Sequence, residues 1–394
     1  MKPFLAAKPA VLVVVGLAFF MDALVYSMLP PLLPEYARIH GLNQTELGLL
    51  FGIYAAALLV ATLPMGTWAD RVGRRGPFLG GLVGFGLATI LFAFAQSFPM
   101  LLLARVFQGI SGAATWVAGM ALLADLFPAG QRGKAMSVTF AGANLGLFLG
   151  PAFAGWMTRI WSPQGAFLVV AGLALVDALA RIVLLPEEPL AQPAGLGYLG
   201  LLKDGAVRVF AGITGMGAIL GASMEALLPL QLSHRLGMDA VAIGMAFTTT
   251  ALASMVTSPL VGHWTDRRGA ARPVGLGLVL GAGLLLVAPH LASRTAVYAF
   301  MLVMGSTCSL LMSPCGPALS RLVERKGETA YGSVFSLLNI TFSMGIMVGP
   351  MLGSALADLA GLTPAMAILA LGFLAYLVPL AAHRRADLKA VPEP

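Results

Sequence analysis

Charge is what this chain has least of: Asp, Glu, Lys and Arg make up only 10% of its 394 residues, against about 25% in soluble domains. Cysteine is nearly missing as well, with Cys308 and Cys315 alone. The two stand seven residues apart on one expected helix face, which they cannot bridge, and no Cys/His ligand set accompanies them, so they read as small packing residues and no metal is expected. The five histidines are scattered. No Ser/His/Asp set, phosphate-binding loop or dinucleotide fingerprint occurs, which leaves no basis for an enzyme or a cofactor. A soluble basic face with aromatic platforms is also lacking, so the net charge of +7 does not point to nucleic acid.

What fills the chain instead is apolar. Hydrophobic residues reach 58% and the mean hydropathy is +0.88, the composition of a protein whose partner is a lipid bilayer. A span needs roughly 20 apolar residues, and twelve runs qualify: 9–34, 46–68, 77–96, 98–126, 135–158, 166–185, 207–232, 241–264, 273–290, 295–320, 331–356 and 364–382. Lys2 and Lys8 precede the first run, which reads as an uncleaved helix because no small-residue cleavage site follows it. Basic residues collect on the side of the Asp70–Arg75 turn, whereas Arg38, Arg159, Arg235 and Arg294 fall on the other and Arg105 lies within a span. By the positive-inside rule both termini are cytoplasmic, and the expected location is a plasma membrane, the inner membrane of a bacterium.

The sequence also repeats itself. GTWADRVGRR, from Gly66 to Arg75, returns 196 residues later as GHWTDRRGAAR, from Gly262 to Arg272. Gly146-x-x-x-Gly150-Pro151 returns 199 residues later as Gly345-x-x-x-Gly349-Pro350. Duplicated halves predict an all-α membrane protein of two pseudo-symmetric six-helix bundles: residues 1–185, a cytoplasmic linker at 186–206, and residues 207–394. The polar stretch from Leu185 to Lys203, whose Gly195–Leu202 part suits a short surface helix, supplies the linker. In the first turn, Gly66 and Gly73 are expected to permit close approach. Asp70, with Arg71 and Arg74, is expected to form a latch that holds one conformation, mirrored by Asp266 and Arg267 after Gly262. The Gly-Pro motifs read as bend points at an interface between bundles. Asn43-Gln44-Thr45 matches a glycosylation triplet, a pattern of low specificity.

Three ionisable residues fall deep inside spans. Each costs roughly 2.5–3.5 kcal/mol near the bilayer centre, so Asp22, Arg105 and Glu225 need a partner or a wet cavity. Met21-Asp22-Ala-Leu and Met224-Glu225-Ala-Leu read as matching places 203 residues apart, giving each half one acid. The alternative for each acid is a structural partner to a buried Arg or amide. Arg105, Gln108, Gly112 and Trp116 recur at helical spacing on one face. Arg105 is expected to stabilise a nearby carboxylate, the alternative being a snorkelling arginine. Tyr26 lies one turn from Asp22. Asp177 and Arg181 read as an intrahelical pair, as do Asp125 and the basic loop after it.

With these residues in view the chain resembles the antiporter branch of the major facilitator superfamily, through the Gly-x-x-x-Asp-Arg-x-Gly-Arg-Arg turn, Arg105-x-x-Gln108-Gly109-x-x-Gly112 and the Gly-Pro motif. Residues 19–36, 224–232 and 331–350 are similar to the vesicular monoamine and acetylcholine transporters and their bacterial relatives. The resemblance implies a drug/proton antiporter with the proton as coupling ion and a small-molecule substrate. It also implies departures. Tyr54 stands where those transporters carry a basic residue, and Met312 and Asn339 stand where they carry acids. The expected cavity is therefore more apolar, with Trp116 and methionines for adaptable contacts. The sequence reading is a monomeric proton-coupled antiporter exporting amphipathic, cationic or amine-like compounds. Its alternatives are a carrier of a neutral metabolite such as a sugar, and a non-transporting receptor, which needs an appended domain.

Overall fold

The computed structural model describes residues 2–127, 129–184, 204–319 and 331–382. The described residues form twelve long α-helices, with short helical stretches at 315–319 and 377–382, and contain no strand. Lipid offers no hydrogen bonds, so a spanning backbone must satisfy its own groups, and helices do so within one segment. In order the helices are α1 (Lys2–His40), α2 (Gln44–Val72), α3 (Arg75–Ala93), α4 (Phe98–Leu126), α5 (Ala129–Ile160), α6 (Pro163–Leu184), α7 (Gly205–Leu236), α8 (Ala240–Arg268), α9 (Ala271–Val287), α10 (Arg294–Met312), α11 (Tyr331–Ala360) and α12 (Leu362–Ala375). Eleven are long and apolar enough to cross a membrane; the described apolar stretch of α6, Pro163–Leu179, is shorter. The expected linker helix lies outside the described residues.

The turns are short because side chains close the helix ends. Asn43 Oδ1 accepts from Glu46 N at 2.8 Å and Glu46 Oε2 accepts from Asn43 N at 2.9 Å, a reciprocal capping box that starts α2. The glycosylation triplet is thus a helix cap. Asp204 caps α7 by accepting from Ala206 N at 2.7 Å, and Ser293 caps α10 by accepting from Ala296 N. In the repeated turn, Gly73 and Gly269 sit at φ +90° and +77°, left-handed values that only glycine adopts without strain. That is where the turn needs its glycine. A methyl group at Gly66 would meet nothing nearer than Val117 at 3.8 Å, and one at Gly262 would meet nothing within 4 Å, so the close approach expected at Gly66 is not found.

The chain folds as two compact units, one of residues 1–42, 53–194 and 238–248, the other of 43–52, 195–237 and 249–394. In the first, α5 lies on α1: methyl groups at Gly146 and Gly150 would collide with the carbonyls of Phe20 and Leu24. In the second, α11 lies on α7 in the same way, with Gly345 and Gly349 against the carbonyls of Gly215 and Ile219. Gly-x-x-x-Gly is thus an intra-unit contact that lets two backbones touch, while methyl groups at Gly244 and Gly48 would meet the carbonyls of the motif prolines, Pro151 and Pro350, so each Gly-Pro motif also touches a helix that the sequence assigned to the opposite half. Helices α5 and α11 both run through their prolines without interruption.

One further expectation fails locally. Cys308 and Cys315 do not share one helix, because the chain turns at Ser313–Pro314 between them and proline cannot continue the hydrogen-bond ladder. Asp125 Oδ2 meets Arg74 Nε at 3.1 Å, from a position 51 residues earlier; the side chain of Arg132, in the loop expected to pair with Asp125, lies outside the described residues. The side chains of Asp70 and Arg181 lie outside the described residues. Arg71, Asp266 and Arg267 are exposed.

Candidate functional site

In the first unit, α1, α2 and α4 bring the charged and aromatic residues of the spans together. Asp22 is 7% exposed. Its carboxylate accepts from the Tyr54 hydroxyl, at 2.9 Å to Oδ1 and 3.1 Å to Oδ2, and from Trp116 Nε1 at 2.7 Å. Trp116 is aimed by Phe19, whose ring stacks on it at 3.8 Å and 12°. Tyr54 is held from both sides. The Tyr26 ring lies 5.8 Å away, and the Arg105 guanidinium sits over the Tyr54 ring, 4.6 Å from its centroid, a cation–π contact.

Arg105 is 1% exposed, and its Nη1 donates to Gln108 Oε1 at 3.0 Å. Gln108 Nε2 then donates to Thr89 Oγ1 at 3.1 Å, and Thr89 donates to the Phe85 carbonyl at 2.8 Å. Every donor in this series points the same way and ends on a backbone acceptor, as buried polar groups require. Arg105 thus packs on the Tyr54 ring that holds Asp22 and lies within electrostatic reach of Asp22 itself, the nearby acid it was expected to stabilise.

The glycines of the fourth-span signature explain how α2 and α4 come so close. A methyl group at Gly109 would run into the Tyr54 carbonyl. One at Gly112 would stand 3.2 Å from Asp22 Oδ1 and 3.4 Å from the Tyr54 hydroxyl, crowding the hydrogen bond between them.

The second unit repeats the scaffold without this chemistry. Gly305 packs against the Thr250 carbonyl, and both are 196 residues beyond Gly109 and Tyr54. Met301, Met304 and Met312 stand at the Arg105, Gln108 and Trp116 positions; Thr250 Oγ1 donates to Met301 Sδ at 3.1 Å. Met312 packs on Gly217, 3.0 Å from a methyl group built there, just as Trp116 meets Asp22. The Gly146–Phe20 and Gly345–Gly215 contacts, like the Gly150–Leu24 and Gly349–Ile219 contacts, also relate α1 to α7 by 195 residues. Glu225 is accordingly not the counterpart of Asp22; Gly217 is. Glu225 is about two turns further along its helix. The shared Met-acid-Ala-Leu string misled because four residues on one helix carry no information about which partner they face.

Glu225 is half-buried and within electrostatic reach of Cys308. Asn339 is exposed, and its Oδ1 accepts from Ser343 Oγ at 3.4 Å. Among the described residues no cluster of His, Cys, Asp or Glu is arranged to hold a metal ion. The reading from sequence missed Thr89 and Phe19; a hydroxyl in the otherwise apolar third span was the available signal.

Comparison with known proteins gives two overlapping matches to the family described as Major Facilitator Superfamily, at residues 15–230 and 209–394. The synaptic vesicular amine transporter of Rattus norvegicus is 28% identical over 331 residues, covering 83% of this chain and 64% of its own length. The chromaffin granule amine transporter of Homo sapiens is 28% identical over 360 residues, 88% of this chain and 68% of its own. An uncharacterized MFS-type transporter of Schizosaccharomyces pombe is 26% identical over 416 residues, 92% and 93% of the two chains. This chain therefore spans less than two thirds of the synaptic transporter's length. A solved bacterial homolog to the human lysosomal transporter Spinster, in an inward-facing and occupied conformation, matches with a TM-score of 0.82 over 98% of this chain and 99% of that one. At 16% identity that likeness is one of fold.

Proposed function

The chain belongs to the Major Facilitator Superfamily, and from that premise we propose that it is a proton-coupled antiporter exporting amphipathic, cationic or amine-like compounds by alternating access. The observation that carries the proposal is the buried Asp22 carboxylate held by Tyr54 and Trp116, with Arg105 over the Tyr54 ring. Ionised, Asp22 offers a cation an opposite charge inside an aromatic frame, where both charge pairing and cation–π contact are strong because water is scarce. A proton arriving on Asp22 removes the charge, weakens the hold on the cargo and favours its release. Proton and cargo then compete for one carboxylate, which is the minimum requirement of exchange.

Relatedness to amine transporters supports a cationic cargo, and the missing charges at Met312 and Asn339 support a less polar one. Glu225 serves in this proposal as a second acid at its own depth. The protein acts as a monomer with both termini in the cytoplasm, in the plasma membrane of its cell. Exchange of unequal charges also draws on the membrane potential, about 2.3 kcal/mol per charge per 100 mV.

Protein reconstituted in liposomes tests this. Addition of a lipophilic amine is expected to release protons from the wild type, Asp22→Asn to abolish the release, and Asp22→Glu to keep part of it. Undiminished exchange by Asp22→Asn removes Asp22 from the mechanism. Cargo binding unchanged when Asp22 and Glu225 are both neutralised would identify a neutral substrate instead.

A further inference from the structure

In the first unit the Arg105 guanidinium is steered from outside the Asp22 cluster, by a hydroxyl on α3. Thr89 and Gln108 are both fully buried. The single hydroxyl proton of Thr89 goes to the Phe85 carbonyl at 2.8 Å, so Thr89 presents only lone pairs toward Gln108. The group that suits them is the NH2 of Gln108, whose Nε2 stands 3.1 Å away. That fixes the amide. Its Oε1 must face the other way, where it accepts from Arg105 Nη1 at 3.0 Å; the amide turned over would set an NH2 against the cation. Held in this way, Arg105 lies over the Tyr54 ring, and the Tyr54 hydroxyl donates to Asp22.

The second unit shows that helix packing does not require this hydroxyl. A methyl group at Gly81 on α3 would meet Thr115 of α4, and one at Gly277 on α9 would meet Leu311 of α10. Both partners of the second contact lie 196 residues beyond those of the first. In that register Leu285 stands for Thr89, Met304 for Gln108 and Met301 for Arg105, and all three are buried. The equivalent pair of helices therefore closes with apolar side chains throughout. Hydroxyl, amide and cation are present together in one unit and absent together in the other. A buried amide NH2 without an acceptor is costly, so the first unit carries Thr89 for the sake of Gln108 and Arg105 rather than for the scaffold.

We propose that Thr89 is a positioning residue of the exchange site: acting through Gln108, it holds Arg105 over Tyr54 and thereby fixes the hydrogen bonds that Tyr54 and Trp116 give to Asp22. Its consequence for transport rests on the antiport reading above. The positioning itself is measurable without transport, because Trp116 Nε1 donates to Asp22 at 2.7 Å and indole emission responds to the loss of such a bond. Full-length protein with Trp68, Trp156, Trp161 and Trp264 replaced by Phe keeps Trp116 as its one tryptophan. In this background Thr89→Val, which retains the branched shape and removes the oxygen, is expected to shift the emission maximum. Thr89→Ser, which retains the oxygen, is expected to leave it in place. After Arg105→Met the valine is expected to add no further shift, since residues of one network do not act additively. A role confined to stability would lower the unfolding midpoint of Thr89→Val and leave the emission of the folded protein unmoved. Should Thr89→Val fold poorly, Thr89→Ala removes the same oxygen and carries the same expectation. Exchange is then followed in liposomes with tetraphenylphosphonium, a cation with no proton of its own to release. Thr89→Val is expected to slow it about tenfold, and Thr89→Ser to keep most of it. Unshifted emission in the valine and alanine variants, an equal shift with and without Arg105, or wild-type exchange by Thr89→Val overturns the proposal. Shifted emission in a protein whose wild type releases no protons for the cation keeps the positioning and overturns the antiport reading instead.

Discussion

The junction of α2 with α4 and the junction of α8 with α10 have one backbone design and two chemistries. In both, a glycine on the later helix presses against a carbonyl of the earlier one, Gly109 on Tyr54 and Gly305 on Thr250. At the first junction the side chains beyond that contact are Arg105, Gln108 and Trp116; at the second they are Met301, Met304 and Met312. Where the first has Ala113, the second has Ser309, whose hydroxyl sits 3.0 Å from those of Ser254 and Ser258 and 3.1 Å from that of Thr257. Packing accounts for the duplication, because helices in lipid associate through close backbone approach. Under the proposed exchange, chemistry accounts for the divergence, because one buried carboxylate that takes and gives a proton would be enough for coupling.

The largest effects are expected where one junction is converted toward the other. Arg105→Met makes the first resemble the second. It removes a desolvated cation–π contact of about 2 kcal/mol, leaves Gln108 Oε1 without its donor, and frees Tyr54 to turn from Asp22. Proton–amine exchange in liposomes should fall about thirtyfold or more. The reverse change, Met301→Arg, places a charge at a position with no exposure and no acid at the Asp22 counterpart, Gly217; a destabilisation of roughly 2.5–3.5 kcal/mol is expected, read as a lowered unfolding midpoint. A Met301→Arg protein as stable as the wild type would mean that the second junction can host the first one's chemistry.

Next in size are changes to what the junctions share. Gly109→Ala and Gly305→Ala each drive a methyl group into a backbone carbonyl that cannot step aside, and overpacking of this kind costs about 1–3 kcal/mol. Thermal unfolding should show comparable losses for both. A loss confined to Gly109→Ala would show that the common scaffold is needed only where the chemistry is.

These outcomes bear on what the sequence could disclose. The repeated turn, the Gly-Pro motifs and the fourth-span signature announced the fold, because glycines at fixed offsets record where helices must touch. Asp22, Tyr54, Arg105, Gln108 and Trp116 were recognisable as polar or aromatic residues in apolar spans, and they do meet. What was not legible is the pairing across helices. Nothing in the string MEAL tells how far along its helix an acid stands from the glycine contacts, so Glu225, about two turns beyond Gly217, passed for a second Asp22. Thr89 had no partner until α3 was laid on α4. Arg74 and Asp125, 51 residues apart, likewise become a pair only when the start of α3 comes beside the end of α4.

Smaller effects are expected where the junctions differ in polarity without carrying charge. Ser309→Ala returns the second junction to the residue found in the first. Its hydroxyl donates toward the Ser254 carbonyl at 3.0 Å, and loss of one such bond costs about 1 kcal/mol, while Thr257 keeps the Ala253 carbonyl as its acceptor. A modest drop in midpoint with unchanged transport is the expected result; lost transport would make the hydroxyl cluster part of the cargo path.

The smallest difference is in the repeated turns. Arg74, whose side chain is 9% exposed, pairs with Asp125, whose side chain is 30% exposed, and the second half has Ala270 in place of Arg74. One partner remains in contact with water, so the pair is expected to contribute under about 1 kcal/mol. Arg74→Gln should lower the unfolding midpoint slightly in dilute buffer. Raising the salt to 1 M shortens the screening length to about 3 Å and should bring variant and wild type together. A deficit that survives high salt would mean that Arg74 stabilises α3 by filling space. The second turn, with only alanine at that position, would then have to replace that volume by some other contact. The comparison between the halves would in that case rest on packing at both ends of the membrane rather than on packing in one place and charge in another.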